Sequence, residues 1–250
     1  MLFSLLLAVA PIASAADPLP TASEILKHID QNMTFESRVM TITMTSVNTR
    51  RTRAFTMKAW GRGEDMASIE YVEPARDAGT RMLRMGDELW MYMPAVEKTQ
   101  KISGHMLRQG MMGSDVSYED MMAAGDLESD YTATVLGLED CGPANPGRHC
   151  YKVQMDAKSP EISYPKRVTW IDSEYFIAVK SEMYAVSGLL LKTWEMSDIQ
   201  TFPDGRHFPT KMTITDKLQE GTSTTLAFTD LTFGVTIPDD VFTTSWLERK

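Results

Sequence analysis

Residues 38–46 have the sequence RVMTITMTS, in which long apolar side chains alternate with threonine for most of the stretch. A repeat of two residues is typical of a β-strand that packs one face on a core and leaves the other face in water. Two later segments have the same design and also alternate with threonine. The apolar face predicted from the three segments carries Met40, Ile42, Met44, Met212, Ile214, Leu226 and Phe228.

Segments with the same two-residue period continue along the chain and are separated by Gly, Pro and Asp turns. About ten or eleven antiparallel strands in mostly hairpin order are predicted. A sheet of this size must curl to hide its apolar face. The predicted fold class is therefore mainly β (α+β), a large curved antiparallel sheet that forms an unclosed β-barrel. No linker divides the chain, so a single domain is expected over residues 16–250.

Three segments are available to cover the apolar face. In residues 18–33, Thr21 and Glu24 have the spacing of a capping box, which predicts an amphipathic helix. The apolar side of that helix carries Ile25, Leu26, Ile29 and Met33. Residues 104–130 are predicted to cross the fold as a long loop in which Ser117 caps a short helix, and IPDDVFTTSWLERK closes the chain. These segments are too few to fill the barrel, so an apolar space is predicted inside it.

The segment LWMYMP, which begins at Leu89, is apolar on both faces of the strand that it predicts. Leu89, Met91 and Met93 lie on one face, and Trp90 and Tyr92 lie on the other. One face is expected to line the apolar space, and the other to lie under a loop or at a contact surface. Alternation alone leaves both assignments open.

Residues 1–15, MLFSLLLAVAPIASA, have the pattern of a secretory signal peptide with cleavage near Ala15. No later segment approaches 18 apolar residues, the length typical of a membrane-spanning helix. An exported chain without an integral membrane segment is therefore expected. Cys141 and Cys150 flank a Pro/Gly-rich turn and are predicted to form a disulfide in an oxidising compartment. The alternative, a metal site, would need more ligands than the neighbouring His149.

Known catalytic patterns are not found in the sequence, which has no G-x-S-x-G, P-loop or metal-ligand spacing of its four histidines. No enzymatic activity, cofactor or metal is therefore predicted. The net charge of −9 opposes binding to nucleic acids. Arg50, Arg51 and Arg53 form a basic hairpin tip that is either simply solvated or a docking site for a partner.

Several motifs together resemble the outer-membrane lipoprotein-sorting proteins, the LolA-like family. They are the signal peptide, the first helix, LWMYMP, MMGSDVSYED at residues 111–120 and the closing IPDDVF. The resemblance implies an unclosed β-barrel with a helical lid, a hydrophobic cavity for acyl chains and a periplasmic location. No arginine matches the lid-latching residue of the best-known carrier. The MMGSD segment is similar to a subgroup that is associated with RND/MMPL-type exporters.

The function predicted from these observations is that of a periplasmic carrier, which binds acyl chains of lipoproteins or lipids and moves them toward the outer membrane. The alternatives are an accessory or sensor subunit of an RND-type exporter, a lipid-processing enzyme and a packed β-sandwich. Methionine is flexible and polarizable, so a methionine-rich cavity accepts chains of different lengths. The predicted cavity lining is Met40, Ile42, Met44, Met91, Met93, Met212, Ile214, Leu226 and Phe228.

Overall fold

A computed structural model describes residues 19–122 and 127–249. The predicted signal peptide over residues 1–15 and its cleavage near Ala15 lie outside the described residues. The helices are α1 (Ala22–Met33), α2 (Tyr118–Met122), α3 (Leu127–Asp130) and α4 (Thr244–Leu247), with 3-10 turns at Pro94–Val96, Gly104–Arg108, Met111–Gly113 and Asp239–Phe242. The strands are β1 (Ser37–Val47), β2 (Thr52–Arg62), β3 (Met66–Glu73), β4 (Arg81–Met85), β5 (Glu88–Met93), β6 (Lys98–Ile102), β7 (Tyr131–Asp140), β8 (His149–Ala157), β9 (Lys166–Asp172), β10 (Ala178–Tyr184), β11 (Leu190–Thr201), β12 (His207–Asp216) and β13 (Ser223–Phe233).

All of these strands belong to one antiparallel sheet of 13 strands, in the order β6-β5-β4-β3-β2-β1-β13-β12-β11-β10-β9-β8-β7. The chain builds the sheet outward from β1 to the edge strand β6, starts again at the opposite edge with β7 and returns until β13 pairs with β1. The predicted fold class, a curved and unclosed antiparallel sheet, is confirmed. Because β6 and β7 are the two edges, the segment that joins them must cross from one side of the sheet to the other.

The sheet has more strands than the ten or eleven predicted, partly because residues 88–102 form a hairpin rather than one long strand. Pro94 begins a 3-10 turn after β5, and Glu97 closes it with a positive φ of 46° before β6 begins. Proline has no backbone N–H to donate, so the ladder of strand hydrogen bonds is interrupted at this point. The turn is the physical reason for the extra strand.

The strand register defines two faces of the sheet, since residues directly opposite one another on antiparallel strands project to the same side. We call the face that carries Met44 and its partners Phe55 and Leu226 the inner face, and the other face the outer face. Helix α1 packs on the inner face of β7–β9, where Ile25, Leu26 and Ile29 are buried.

The predicted capping box of α1 is present, with the Thr21 side chain accepting from the Glu24 N–H and the Glu24 carboxylate accepting from the Thr21 N–H. The prediction that Met33 belongs to the buried side of this helix is wrong. Met33 is the last helical residue and is 47% exposed. Phe35, two residues later, is buried instead, against the rings of Phe208 and Phe233.

The C-terminal segment covers the outer face of the sheet and not the inner one. Val241, Phe242, Trp246 and Leu247 pack with Leu83 in one buried cluster, and Trp90 and Tyr92 lie against it. Leu89, Met91 and Met93 project to the inner face. The LWMYMP strand is apolar on both faces because each face is covered by a different segment of the chain. The expectation that the C-terminal segment helps to close the inner face is wrong, since strand parity places its contacts on the opposite side.

Cys141 and Cys150 form the predicted disulfide across the turn between β7 and β8, with their Cα atoms 5.1 Å apart. Replacing both cysteines with serine is expected to lower the free energy of unfolding by about 2–3 kcal/mol, because the unfolded chain regains the entropy of a short closed loop. Urea unfolding of the oxidised protein and the double variant measures the difference. Reductant should lower the stability of the wild-type protein by a similar amount and leave the double variant unchanged. Equal stability of all samples would contradict the prediction.

Candidate functional site

The inner face of the N-terminal half of the sheet is a continuous apolar surface. The register places Met91 of β5 opposite Met82 of β4, and Met82 opposite Ile69 of β3. Five sheet methionines are buried in this one cluster: Met40, Met44, Met57, Met82 and Met91. Because unbranched methionine side chains adapt to neighbours of different shape, this surface can pack against more than one kind of partner.

All nine residues predicted to line a cavity project to the inner face. Three of them are buried in the methionine cluster: Met40, Met44 and Met91. Four are partly buried and pack against it: Ile42, Met93, Leu226 and Phe228. Met212 is half-buried on β12 opposite Leu226, and Ile214 is buried opposite Thr224. The structure thus brings the nine residues to one face of one sheet, and their contact with a lipid stays a prediction.

Residues 103–122, which we call the lid, lie over this apolar surface. The lid inserts Met111 and Tyr118 into the cluster, and its other contacts come from Met106, Leu107, Met112, Met121 and Met122. A cavity with a volume of about 20 Å³ lies between the lid and β3–β5. That volume holds about one water molecule and no acyl chain. The predicted apolar space is therefore filled here by the methionines of the chain itself.

The lid is held on one side by a buried ion pair. The Lys192 Nζ of β11 lies 2.7 Å from the Asp120 Oδ2 of α2, and the Asp120 side chain is 1% exposed. The Tyr164 hydroxyl donates to the other carboxylate oxygen at 2.6 Å. Burial raises the pKa of Tyr164, and the neighbouring Asp120 charge raises it further, so the phenol stays protonated and donates at neutral pH. The Ser117 N–H also donates to Asp120, at 2.8 Å, while Ser117 Oγ caps α2 as predicted.

A second group of contacts holds the lid on the side of β2 and β13. The Arg53 guanidinium donates to the carbonyl oxygen of Met112 and lies over the Phe55 ring. The Thr224 hydroxyl, on a fully buried residue, donates to the Asp115 carboxylate at 2.6 Å and accepts from the Asp115 N–H at 3.0 Å. The two groups of contacts bind the lid to strands on both sides of the central β1–β13 pair.

The three arginines of the basic hairpin, which was predicted as a docking patch, do not all lie at its exposed tip. Arg50 and Arg51 are exposed at the tip, whereas Arg53 turns inward to the lid. Sequence analysis missed this contact, although one signal was available. Arg53 has the same strand parity as Phe55 and Met57, so it belongs to the apolar face of β2.

Residues 109–118 of the lid form a compact hairpin. Gly110 and Ser117 form an isolated β-bridge, and the Met111 N–H donates to the Val116 carbonyl at 2.7 Å. A β-carbon on Gly110 would lie 2.0 Å from the carbonyl oxygen of Ser114, so only glycine fits at this position. These contacts are internal to the lid and are separate from its anchors to the sheet.

Several buried polar side-chain atoms on the inner face have no hydrogen-bond partner. Within the described ranges they are Arg53 Nε, Tyr71 Oη, Arg167 Nε and Trp194 Nε1. The strand register places all four side chains on the inner face. Each can donate a hydrogen bond, and a buried donor without a partner is costly. The inner face therefore combines an apolar surface with buried hydrogen-bond donors.

Over residues 19–122 and 127–249, no three His, Cys, Asp or Glu side chains are grouped closely enough to hold a metal ion. None of the helices in the same ranges is both long and apolar enough to cross a membrane.

A family model described as "Uncharacterized protein" matches residues 63–249. A search of curated proteins finds no match. The fold is shared with a DUF1329 family protein from Desulfovibrio piger, at 23% identity and a TM-score of 0.81 over 90% of this chain and 97% of that one. A putative outer membrane lipoprotein-sorting protein domain from Vibrio parahaemolyticus has 23% identity and a TM-score of 0.79 over 91% and 98%. A LolA superfamily protein from Nitrosomonas europaea has 24% identity and a TM-score of 0.73 over 91% and 100%.

Proposed function

This chain belongs to the family whose model matches residues 63–249, and we propose that it is a non-enzymatic periplasmic carrier of acylated molecules. Residues 16–250 form the carrier domain, and the acyl chains of lipoproteins or lipids bind to its inner face after the lid is displaced. The observation that supports this function best is an apolar, methionine-rich face covered by a separate hairpin with polar anchors. The LolA-like fold of the structural neighbours is consistent with it.

The energies of lid opening and acyl-chain binding are comparable. Withdrawing the lid exposes Met111 and Tyr118, which are 3% and 9% exposed in the structure, together with the five partly buried lid side chains of the same cluster. Burial of one such side chain contributes about 1.5–3 kcal/mol, so the two buried ones alone contribute on the order of 3–6 kcal/mol. An acyl segment of about ten CH₂ groups gains about 8 kcal/mol on the same surface. An acyl chain can thus replace the lid side chains and still be released.

The experiment that tests this function is native mass spectrometry of the mature protein, purified from periplasm without detergent, followed by lipid extraction. A bound mass that resolves into a phospholipid or an acylated peptide is the expected result, and it would name the class of cargo. A ligand-free mass, with no binding of a fluorescent fatty acid, would contradict carriage. Stable co-purification with one membrane transporter would then favour an accessory subunit, for which exposed Arg50 and Arg51 are the proposed docking residues.

A further inference from the structure

Two arginines face each other across the inner face at one end of the methionine cluster. The register runs from Arg38 of β1 to Gly61 of β2, Ala67 of β3 and Arg84 of β4. All four residues project to the same side of the sheet, since each is directly opposite the next. The two residues between the arginines are the small glycine and alanine, so no large side chain of the sheet separates the two arginines.

The side chain of Arg38 lies across the glycine. A β-carbon on Gly61 would be 3.1 Å from Arg38 Nε and 3.2 Å from Arg38 Cγ. The Arg38 guanidinium also lies 4.9 Å from the centre of the Phe35 ring, which fixes its direction. On the other side, the Arg84 Nε donates to the Gly86 carbonyl at 3.0 Å, and Arg84 lines the small cavity beneath the lid.

Neither arginine has an ion pair with a carboxylate in the part of the chain that the structure describes. By contrast, Arg62, Arg81 and Arg148 each have one. Arg38 and Arg84 are both half-buried. Burial lowers the pKa of Arg38, and the positive charge of Arg84 lowers it further, yet guanidinium groups stay protonated in proteins. Two partly desolvated positive charges over a floor of small residues suit an anion, which would neutralise both.

The position of the arginines relates them to the apolar surface. Along β1, Arg38 is followed on the inner face by Met40, Ile42 and Met44, and then by Ser46. At about 3.3 Å per residue, the distance from Arg38 to Ser46 is roughly 26 Å. Arg53, which anchors the lid, pairs with Ser46 at the far end. The inner face therefore has a cationic end, an apolar middle and an end where the lid is anchored.

We propose that Arg38 and Arg84 bind the anionic head group, a phosphate or carboxylate, of an amphiphile whose acyl chain lies along the apolar middle of the inner face. This inference rests on the proposed carrier function and narrows its cargo to anionic amphiphiles. Guanidinium groups form charge-assisted, often bidentate hydrogen bonds to phosphate and carboxylate oxygens. Uncharged amphiphiles of the same chain length have no group that replaces these bonds.

Isothermal titration calorimetry with three probes tests this proposal: dodecyl phosphate below its critical micelle concentration, dodecanol and inorganic phosphate. The wild-type protein should bind dodecyl phosphate at least about 10-fold more tightly than dodecanol. In the double variant Arg38→Gln/Arg84→Gln, the affinity for dodecyl phosphate should fall by at least the same factor, and the affinity for dodecanol should stay within about twofold. Arg76→Gln, which changes an exposed arginine outside the inner face, is the matched control and should bind like the wild type.

The outcomes separate this proposal from the carrier function. Equal affinity of the wild-type protein for dodecyl phosphate and dodecanol would overturn the head-group site and leave carriage intact, whether or not the double variant folds. Failure of the wild type to bind dodecanol would contradict carriage of apolar chains itself. Arginine-dependent binding of inorganic phosphate as tight as that of dodecyl phosphate would overturn the lipid assignment in favour of a free-phosphate site.

Discussion

Replacement of Asp120 by alanine is expected to destabilise the covered state, in which the lid lies on the inner face, by about 3 kcal/mol. The equilibrium constant for lid opening should therefore rise about 100-fold. The variant leaves the Lys192 ammonium, whose side chain is 16% exposed, without its carboxylate partner. It also removes the acceptor of the Tyr164 hydroxyl. Loss of one partner of a buried ion pair is costly because the other charge remains desolvated.

Hydrogen exchange of the lid amides measures this effect. The Asp115 N–H of the lid, which donates to the Thr224 hydroxyl of β13 in the covered state, should exchange about 100-fold faster in the variant. The amides of β1 should be unchanged. Glu119→Ala alters the neighbouring acidic residue of the same short helix and is the matched control. Equal exchange in Asp120→Ala and Glu119→Ala would show that the ion pair does not hold the lid.

Replacement of Met212 by glutamate is expected to weaken the binding of a fluorescent fatty acid by at least about 100-fold, since a carboxylate on an acyl-binding surface is desolvated by the ligand. Met212 is suitable because it is half-buried, so the variant is expected to fold. Met44 lies two strands away from Met212, since both are directly opposite Leu226, and it is 0% exposed. A charge at Met44 would destabilise the whole protein and could not report on binding alone.

The matched control for Met212→Glu is Thr229→Glu. Thr229 lies on the outer face of β13, opposite Thr41, and is exposed. It receives the same new charge on the same sheet but away from the inner face, so fatty-acid binding should be unaffected. Urea unfolding of both variants shows that they are folded. Unchanged binding by folded Met212→Glu would remove β12 from the predicted lining.

Much of the sheet could be predicted because strand alternation is a local property. The nine predicted lining residues share one face, since each segment alternates strictly and antiparallel partners project to the same side. The capping boxes at Thr21 and Ser117 were also predictable, as both partners of each are three residues apart. The contact between Asp120 and Lys192 was not, because 72 residues separate them and only the strand order brings them together.

The sequence by itself determined the antiparallel strands, the amphipathic first helix, the disulfide between Cys141 and Cys150 and the grouping of the methionines on one face. Only the tertiary structure decided that Met91 faces the lid while Trp90 faces the C-terminal segment. The physical reason is that a period of two residues divides side chains into two sets without identifying which set is inside. That choice depends on the β6–β7 crossing, which places the lid on the inner face, and on the C-terminal segment, which occupies the outer one.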